Sequence, residues 1–120
     1  MATSKEKATS LLRSQIELRQ QQIDEPTPER AEQMKAMGMD IDNLNIQRIF
    51  IYLSEPLTPP QIEELEALGL SLYLDSWIPP TASHPQGFII ADMPVDKLEE
   101  LASQDYIVSL DSAERLAQPQ

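Results

Sequence analysis

The spacing of apolar residues divides the chain into an N-terminal helical part and a later part of mixed strands and helices. Residues 4–23 contain neither glycine nor proline, and their few apolar side chains fall at helical spacing, at Ala8, Leu11, Leu12 and Ile16. Thr27 followed by Pro28 predicts the capped start of a second, short helix, and Gly38 is placed to end it. Residues 1–45 are thus predicted to form a helical extension, which docks on the following domain, docks on another copy of the chain, or stays partly frayed.

A strand, a helix and a second strand are predicted between residues 48 and 74. Residues 49–53 form a β-branched and aromatic run of strand length. Thr58, followed by two prolines and Gln61, has the pattern of a helix N-terminus with a reciprocal capping pair. Gly69 is placed to end this helix, and three leucines then alternate with polar residues, as in a half-buried strand.

The same order of elements repeats after a proline-rich loop over residues 77–87. Residues 88–91 are predicted to form a strand, residues 95–103 a helix and residues 106–110 a final strand. The two helices share a motif, since Ile62-Glu63-Glu64-Leu65 matches Leu98-Glu99-Glu100-Leu101. In each unit an Asp-Ser pair begins 10 residues after the last leucine of the motif. This internal repeat indicates two equivalent strand-helix-strand units.

Two such units with right-handed connections predict an α+β, ferredoxin-like βαββαβ fold for residues 46–120. A four-stranded antiparallel sheet of strand order 4-1-3-2 then carries both helices on one face. Alternation along the strands assigns to this helix-covered face Ile49, Ile51, Leu53, Leu70, Leu72, Leu74, Ile89, Ala91, Val108 and Leu110. The open face receives Phe50, Tyr52, Tyr73, Phe88, Ile90 and Ile107. Because monomers seldom expose large apolar patches, we expect a cover, namely residues 1–40, a second copy or a separate protein.

The charge balance argues against nucleic acid as a partner. The chain carries a net charge of −11 and has a pI near 4.3, whereas phosphate binding depends on Lys and Arg side chains that release counterions. Residues 47–120 hold twelve carboxylates and three basic side chains, so the predicted domain is the acidic part. No apolar run is long enough to cross a bilayer or to form a secretory signal. The sequence therefore predicts a soluble protein.

Side chains suited to catalysis or to metal and cofactor binding are sparse. The sequence has no cysteine, which excludes thiolate nucleophiles and Cys-ligated zinc. The one histidine, His84, lies in the proline-rich loop, with no neighbouring pattern that would orient its imidazole. The three glycines do not form a phosphate-binding loop. Most glutamates fall on the solvent sides of predicted helices, and Trp77 is expected to anchor the loop on the domain. We predict a protein that is not an enzyme and has no cofactor and no metal.

Several segments carry a family resemblance: Arg48 to Leu53, Leu57 to Leu65, Gly87-Phe88, Val95 to Ala102 and Ile107 to Asp111. Together they are similar to the propeptide domain of subtilisin-type serine peptidases and to the related free-standing inhibitors. The stretch Trp77 to Pro80, with His84-Pro85, also resembles prosegments of some bacterial members. The resemblance covers approximately residues 46–118 and rests on spaced hydrophobic and turn residues.

This resemblance implies a module that helps a subtilisin-type peptidase to fold or inhibits it, in cis or in trans. The open sheet face would pack on the peptidase, and residues 113–120 would lie along its active-site cleft as a product-like peptide. The implied partner-binding residues are Phe50, Tyr52, Tyr73, Phe88, Ile90 and Ile107 on the face, and Arg115, Leu116, Ala117 and Gln118 in the tail.

Two features depart from the family pattern. The sequence contains no peptidase domain, and a helical extension precedes residue 46. The chain is therefore expected to be either an excised prosegment, which would be secreted, or a stand-alone relative, which would be cytoplasmic as written. The competing class of protein is a self-associating ferredoxin-like domain, structural or regulatory, whose open face pairs with a second copy and which has no peptidase partner.

Overall fold

The computed structural model describes residues 7–83 and 85–115. Its elements, in chain order, are helix α1 (Ser10–Asp24), helix α2 (Pro28–Ala36), strand β1 (Ile46–Leu53), helix α3 (Pro59–Ala67), strand β2 (Ser71–Ile78), strand β3 (Gly87–Pro94), a 3₁₀ turn (Val95–Lys97) that leads into helix α4 (Leu98–Ala102), and strand β4 (Ile107–Ser112). The predicted order of two helices followed by two strand-helix-strand units is confirmed.

Short-range sequence signals set the ends of α2 and α3. The hydroxyls of Thr27 and Thr58 accept hydrogen bonds from backbone N–H groups in the first turns of these helices. At α3 the Gln61 side chain completes the reciprocal pair by accepting from the Thr58 N–H at 3.0 Å. Gly38 and Gly69 follow the two helices with φ angles of 84° and 100°, a left-handed conformation that glycine adopts without strain. These predicted caps are confirmed.

The four strands form one antiparallel sheet in the order β2-β3-β1-β4. This is the predicted order 4-1-3-2, counted from the other edge. The central strands β1 and β3 pair without interruption, from Ile46 opposite Pro94 to Leu53 opposite Gly87. Helices α3 and α4 pack on one face of this sheet, so the fold is ferredoxin-like.

The hydrophobic core lies between that face and the helices. Leu65 of α3 and Leu101 of α4 are fully buried, and they belong to one cluster with the inward side chains of β1 and β3. Leu98 is half-buried and packs against this cluster, and Ile62 is half-buried. Burial of a large aliphatic side chain contributes about 1.5–3 kcal/mol, so this cluster supplies most of the driving force for the fold.

The N-terminal helix α1 and the residues just before it belong to the same core. Ala8, Leu12 and Ile16 are buried in one cluster with the strands, and Ala8 forms a parallel bridge with Leu110 on β4. That bridge interrupts the helix predicted over residues 4–23, so α1 begins only at Ser10. Of the three alternatives for the extension, the structure shows docking on the domain.

A bulge in β4 overturns part of the predicted side-chain alternation. Tyr52 pairs with Ser109 while Leu53 pairs with Ile107, which leaves Val108 as an extra residue. Ile107 is therefore in the core at 1% exposure, and Val108 is 36% exposed. The prediction that placed Ile107 on the open face and Val108 under the helices is wrong. The strand also extends beyond its predicted end, to Ser112.

A second irregularity lengthens β2. Its register with β3 shifts between Tyr73 and Ile78. The strand continues through Trp77 and Ile78, so the prediction of a loop at these residues is wrong. Leu74, predicted to be buried, is 48% exposed, because bulges bend an edge strand away from regular packing. The Trp77 ring packs against the core and lies over Gly87, so it anchors this end of the domain.

Candidate protein-binding site

The open face of the sheet carries aromatic and aliphatic side chains at its centre. Phe50 and Tyr52 of β1 lie opposite Ile90 and Phe88 of β3. The rings of Phe50 and Phe88 meet edge to face with centroids 5.3 Å apart, and the Tyr52 ring lies 5.6 Å from that of Phe88. All four side chains are half-buried. These four residues, here named the apolar cluster, form a continuous surface on the two central strands.

A polar group borders the apolar cluster near the start of β1. Arg48 Nε donates to Asp92 Oδ1 at 2.9 Å, and Arg48 Nη2 donates to the Tyr73 hydroxyl at 3.0 Å. The Tyr73 hydroxyl in turn donates to Asp92 Oδ2 at 2.5 Å. The guanidinium also lies 5.1 Å from the centre of the Tyr73 ring, within the range of a cation–π contact. These three residues are named the polar rim.

The members of the polar rim stabilise one another's charge states. The hydrogen bond to Asp92 is the main cause that raises the pKa of Tyr73, and also the main cause that raises the pKa of Arg48. Burial by itself would raise the pKa of Asp92, but hydrogen bonds from Arg48 and Tyr73 outweigh it and lower that pKa below its ordinary value. The rim therefore presents a cation, an anion and a neutral phenol in fixed positions around neutral pH.

The C-terminal segment leaves the domain beside the polar rim. Beyond the end of β4, the Ala113 N–H donates to the carbonyl oxygen of Arg48 at 3.0 Å. Glu114 is 9% exposed, and its Oε2 accepts from the Arg48 N–H at 2.8 Å. Arg115 lines the same surface groove as Arg48 and Asp92. The last described residue thus lies at a corner of the open face.

No segment within residues 7–83 and 85–115 covers the apolar cluster. Helix α1 packs on the opposite, helix-covered side, where Gln47 donates to the Gln15 side chain at 2.8 Å. Helix α1 therefore does not supply the cover that was predicted from residues 1–40. Since the described residues do not provide the cover of the apolar cluster, a second copy of the chain and a separate protein remain as candidates for it.

The structure brings together five of the ten predicted partner-binding residues on the open face: Phe50, Tyr52, Tyr73, Phe88 and Ile90. Arg115 lies at the corner of that face, where it pairs with Asp111. Ile107 lies in the core instead. Leu116, Ala117 and Gln118 lie outside the described residues.

Three residues of the face were missed in the sequence. Arg48 and Asp92 continue the alternation that identified Phe50 and Ile90, but the prediction considered only apolar side chains. Ile78, which pairs with Phe88 and is 47% exposed, was hidden by the irregular register of β2.

Metal-binding clusters and membrane-spanning helices are absent from the described residues. Residues 7–83 and 85–115 contain no group of three or more His, Asp or Glu side chains placed to hold a metal ion. No helix in these two ranges is long and apolar enough to cross a membrane. His84, the candidate for catalytic chemistry, lies outside the described residues.

The fold and the site define a class of protein: a ferredoxin-like domain with an uncovered apolar sheet face. No known protein family, curated protein or solved structure gives a significant match to this chain. The relationship to subtilisin-type propeptides stays a prediction from the sequence segments that carry it.

Proposed function

We propose that this protein is a non-enzymatic, propeptide-like module that binds a subtilisin-type serine peptidase and assists its folding or inhibits it. The observation that carries the proposal is the apolar cluster, which lies at the centre of the open sheet face without a cover from the described residues. Contiguous apolar surface of this kind marks a site of protein association. The resemblance of residues 46–118 to peptidase propeptides supports the choice of partner.

The composition of the face suits a protein partner. Protein interfaces have an apolar, aromatic-rich centre and a polar rim, and they are enriched in arginine. Here Phe50, Tyr52 and Phe88 form the centre, and Arg48 stands beside them with its charge held by Asp92. Aromatic and arginine side chains also account for most of the residues that dominate binding energy.

The exit point of the tail supports a partner that has a cleft next to its contact surface. Arg115 lies at the corner of the open face, so a protein that covers the face also meets the chain at this residue. An extended tail can pair its backbone with the edge of an active-site cleft. Two contacts on one partner reinforce each other, because the second forms within the complex.

Electrostatics favours a different protein over a second copy of the chain. Each copy carries a net charge of −11, and like charges oppose close association. The irregular register of the edge strand β2 also disfavours edge-to-edge pairing of two sheets. Self-association is therefore the alternative function rather than the leading one.

The test combines the substitutions Phe50→Ser and Tyr52→Ser in the full-length chain. A panel of bacterial subtilisin-type peptidases is titrated with the protein at up to micromolar concentrations, and inhibition constants are measured. Interfacial aromatic residues contribute about 2 kcal/mol each when they dominate binding, so the double variant should bind at least about 100-fold more weakly. Its circular dichroism spectrum should stay unchanged, because both side chains lie outside the core.

A matched control carries Ile23→Ser and Leu74→Ser, which remove exposed apolar side chains away from the apolar cluster. This control should inhibit like the native chain. If no peptidase is slowed, or if the two double variants weaken inhibition equally, the proposed function is wrong. A concentration-dependent dimer that the Phe50 and Tyr52 variant abolishes would instead support self-association.

A further inference from the structure

A buried polar network under α1 links the N-terminal helix to the C-terminal segment. Arg19 of α1 is fully buried. Its Nε donates to Gln47 Oε1 at 2.7 Å, its Nη1 donates to the carbonyl oxygen of Asn43 at 3.0 Å, and its Nη2 pairs with the Glu114 carboxylate. A buried charge requires such partners. Helix α1 thus places a buried cation next to the segment that follows β4.

Glu114 is the point where several segments meet. Its carboxylate accepts from the Asp40 N–H and the Arg48 N–H, each at 2.8 Å, in addition to the arginine of α1. Its backbone N–H donates to Ser112 Oγ at 3.0 Å, and its carbonyl oxygen accepts from Gln15 Nε2 at 2.9 Å. The chain is therefore held by main-chain and side-chain bonds two residues beyond the last strand.

Two of these bonds to Glu114 come from α1. Without α1 the carboxylate would lose its only cationic partner among the described residues, and the carbonyl oxygen would keep only the longer bond from Ser112 Oγ, at 3.3 Å. The buried carboxylate would then keep only neutral backbone donors from Asp40 and Arg48, which do not compensate its charge as a cation does. Arg115 would keep its own bonds to the Ser112 carbonyl oxygen and to Asp111. Each additional flexible residue between a domain and a binding segment widens the space that the segment samples and lowers its effective concentration.

We propose that Arg19 and Glu114 are positioning residues, through which α1 fixes the direction in which the tail leaves the domain. This inference rests on the proposed function, because it gives the tail a peptidase cleft to meet. It also gives the N-terminal extension a role in inhibition, although α1 lies on the side of the sheet away from the apolar cluster.

The first experiment measures order in the full-length chain without any peptidase. Arg19→Met removes the charge and keeps most of the volume, and Arg13→Met on the same helix is the matched control. Amide hydrogen exchange at Glu114, whose N–H donates to Ser112 Oγ, should become at least about 10-fold faster in the Arg19 variant, since the ion pair that holds its carboxylate is lost. Exchange in β1 and β3 should not change, and Arg19→Lys should restore part of the protection. Unchanged exchange at Glu114, or equal acceleration throughout the sheet, would overturn the inference.

The second experiment measures inhibition in two tail backgrounds of the full-length chain. Arg19→Met should raise the inhibition constant about 10-fold when the tail is native. Arg19→Met should not change the inhibition constant in a second background, where Leu116→Gly and Gln118→Gly have removed side chains with which the tail would contact the peptidase. If Arg19→Met weakens inhibition equally in both backgrounds, Arg19 acts through the general stability of the domain, and the positioning role is refuted. If the native chain inhibits no peptidase, the proposed function fails, and hydrogen exchange still decides whether Arg19 holds the segment.

Discussion

Replacing Gly87 by alanine is expected to destabilise the domain where β2 and β3 meet. Gly87 is buried at the start of β3. A Cβ atom at this position would lie 2.4 Å from the carbonyl oxygen of Ile78 and 2.4 Å from Cη2 of Trp77. Both distances are about 1 Å shorter than a favourable contact. Either the indole ring or the edge strand must therefore move.

The size of the effect follows from what has to move. The indole can shift within the half-buried site of Trp77, but Ile78 contributes a backbone oxygen from a strand that is paired with β3. Overpacking of a core costs about 1–3 kcal/mol, and a clash with backbone places this variant in the upper half of that range. For a domain of this size about 1 kcal/mol lowers the melting temperature by about 4 °C. Gly87→Ala should lower it by about 10 °C.

Urea unfolding followed by fluorescence is a suitable assay, because Trp77 is the single tryptophan and reports on its own site. Circular dichroism must give the same transition, and it serves alone where Trp77 is replaced. In a Trp77→Ala background Gly87→Ala should cost less, since one of its two clashes is gone. Gly69→Ala is the control: its penalty comes from a φ of 100° and should be equal in both backgrounds. A neutral Gly87→Ala, or an equal cost with and without the indole, would refute the packing of Trp77 over Gly87.

Two further predictions concern the polar rim and the tail. The pKa of Asp92 lies below its ordinary value of 3.8, so its contribution to stability is complete above that pH and is lost as the pH falls further. Urea unfolding should show a gap between the native chain and Asp92→Asn that closes on acidification, and a pH-independent gap would contradict this. Deleting residues 116–120 should abolish inhibition at an unchanged melting temperature. Deleting residues 113–120 should also remove about 3–5 kcal/mol of stability, because the buried Arg19 loses its carboxylate partner; equal melting temperatures for the two deletions would argue against that pairing.

The fold was predictable because the informative signals are local and repeated. Thr58 and Gln61 specify a helix start through hydrogen bonds within four residues, and Gly69 specifies its end through backbone conformation. The match of Ile62-Glu63-Glu64-Leu65 with Leu98-Glu99-Glu100-Leu101 then indicated two equivalent units, and the connection rule for such units determined the strand order. None of these inferences needs knowledge of distant contacts.

The bulges were not predictable in the same way. The assignment of faces assumes that inward and outward side chains alternate along each strand. The bulge adds one residue, Val108, and breaks this alternation. Valine is common in regular strands, so its presence does not indicate a bulge. The extra residue exchanges the faces of Ile107 and Val108. The insertion in β2 depends on Ser76, whose hydroxyl replaces a strand carbonyl as the acceptor for the Ile90 N–H. A serine in a strand gives no sign of this role in the sequence.

The polar residues that help α1 to dock on the domain were missed for a different reason. Gln15, Arg19 and Gln22 lie on the same helix stripe as Leu12 and Ile16, with helical spacings of three, four and seven residues, and all five are buried. A search for apolar residues alone ended this stripe at Ile16. Polar residues at the same spacing extend it, but the partner of Arg19 is 95 positions away at Glu114. Such a pair can be recognised only after the fold has placed both residues together.

The division of the sheet into regular central strands and irregular edge strands bears on how the face can bind. The apolar cluster belongs entirely to β1 and β3, whose pairing has no interruption, so its side chains are held in place before a partner arrives. A preordered surface loses less conformational entropy on binding. Both bulges lie in the edge strands β2 and β4, where irregularity discourages sheets from pairing edge to edge. Together with the net charge of −11, this arrangement disfavours contact between copies while it keeps the face ready for a protein of complementary shape.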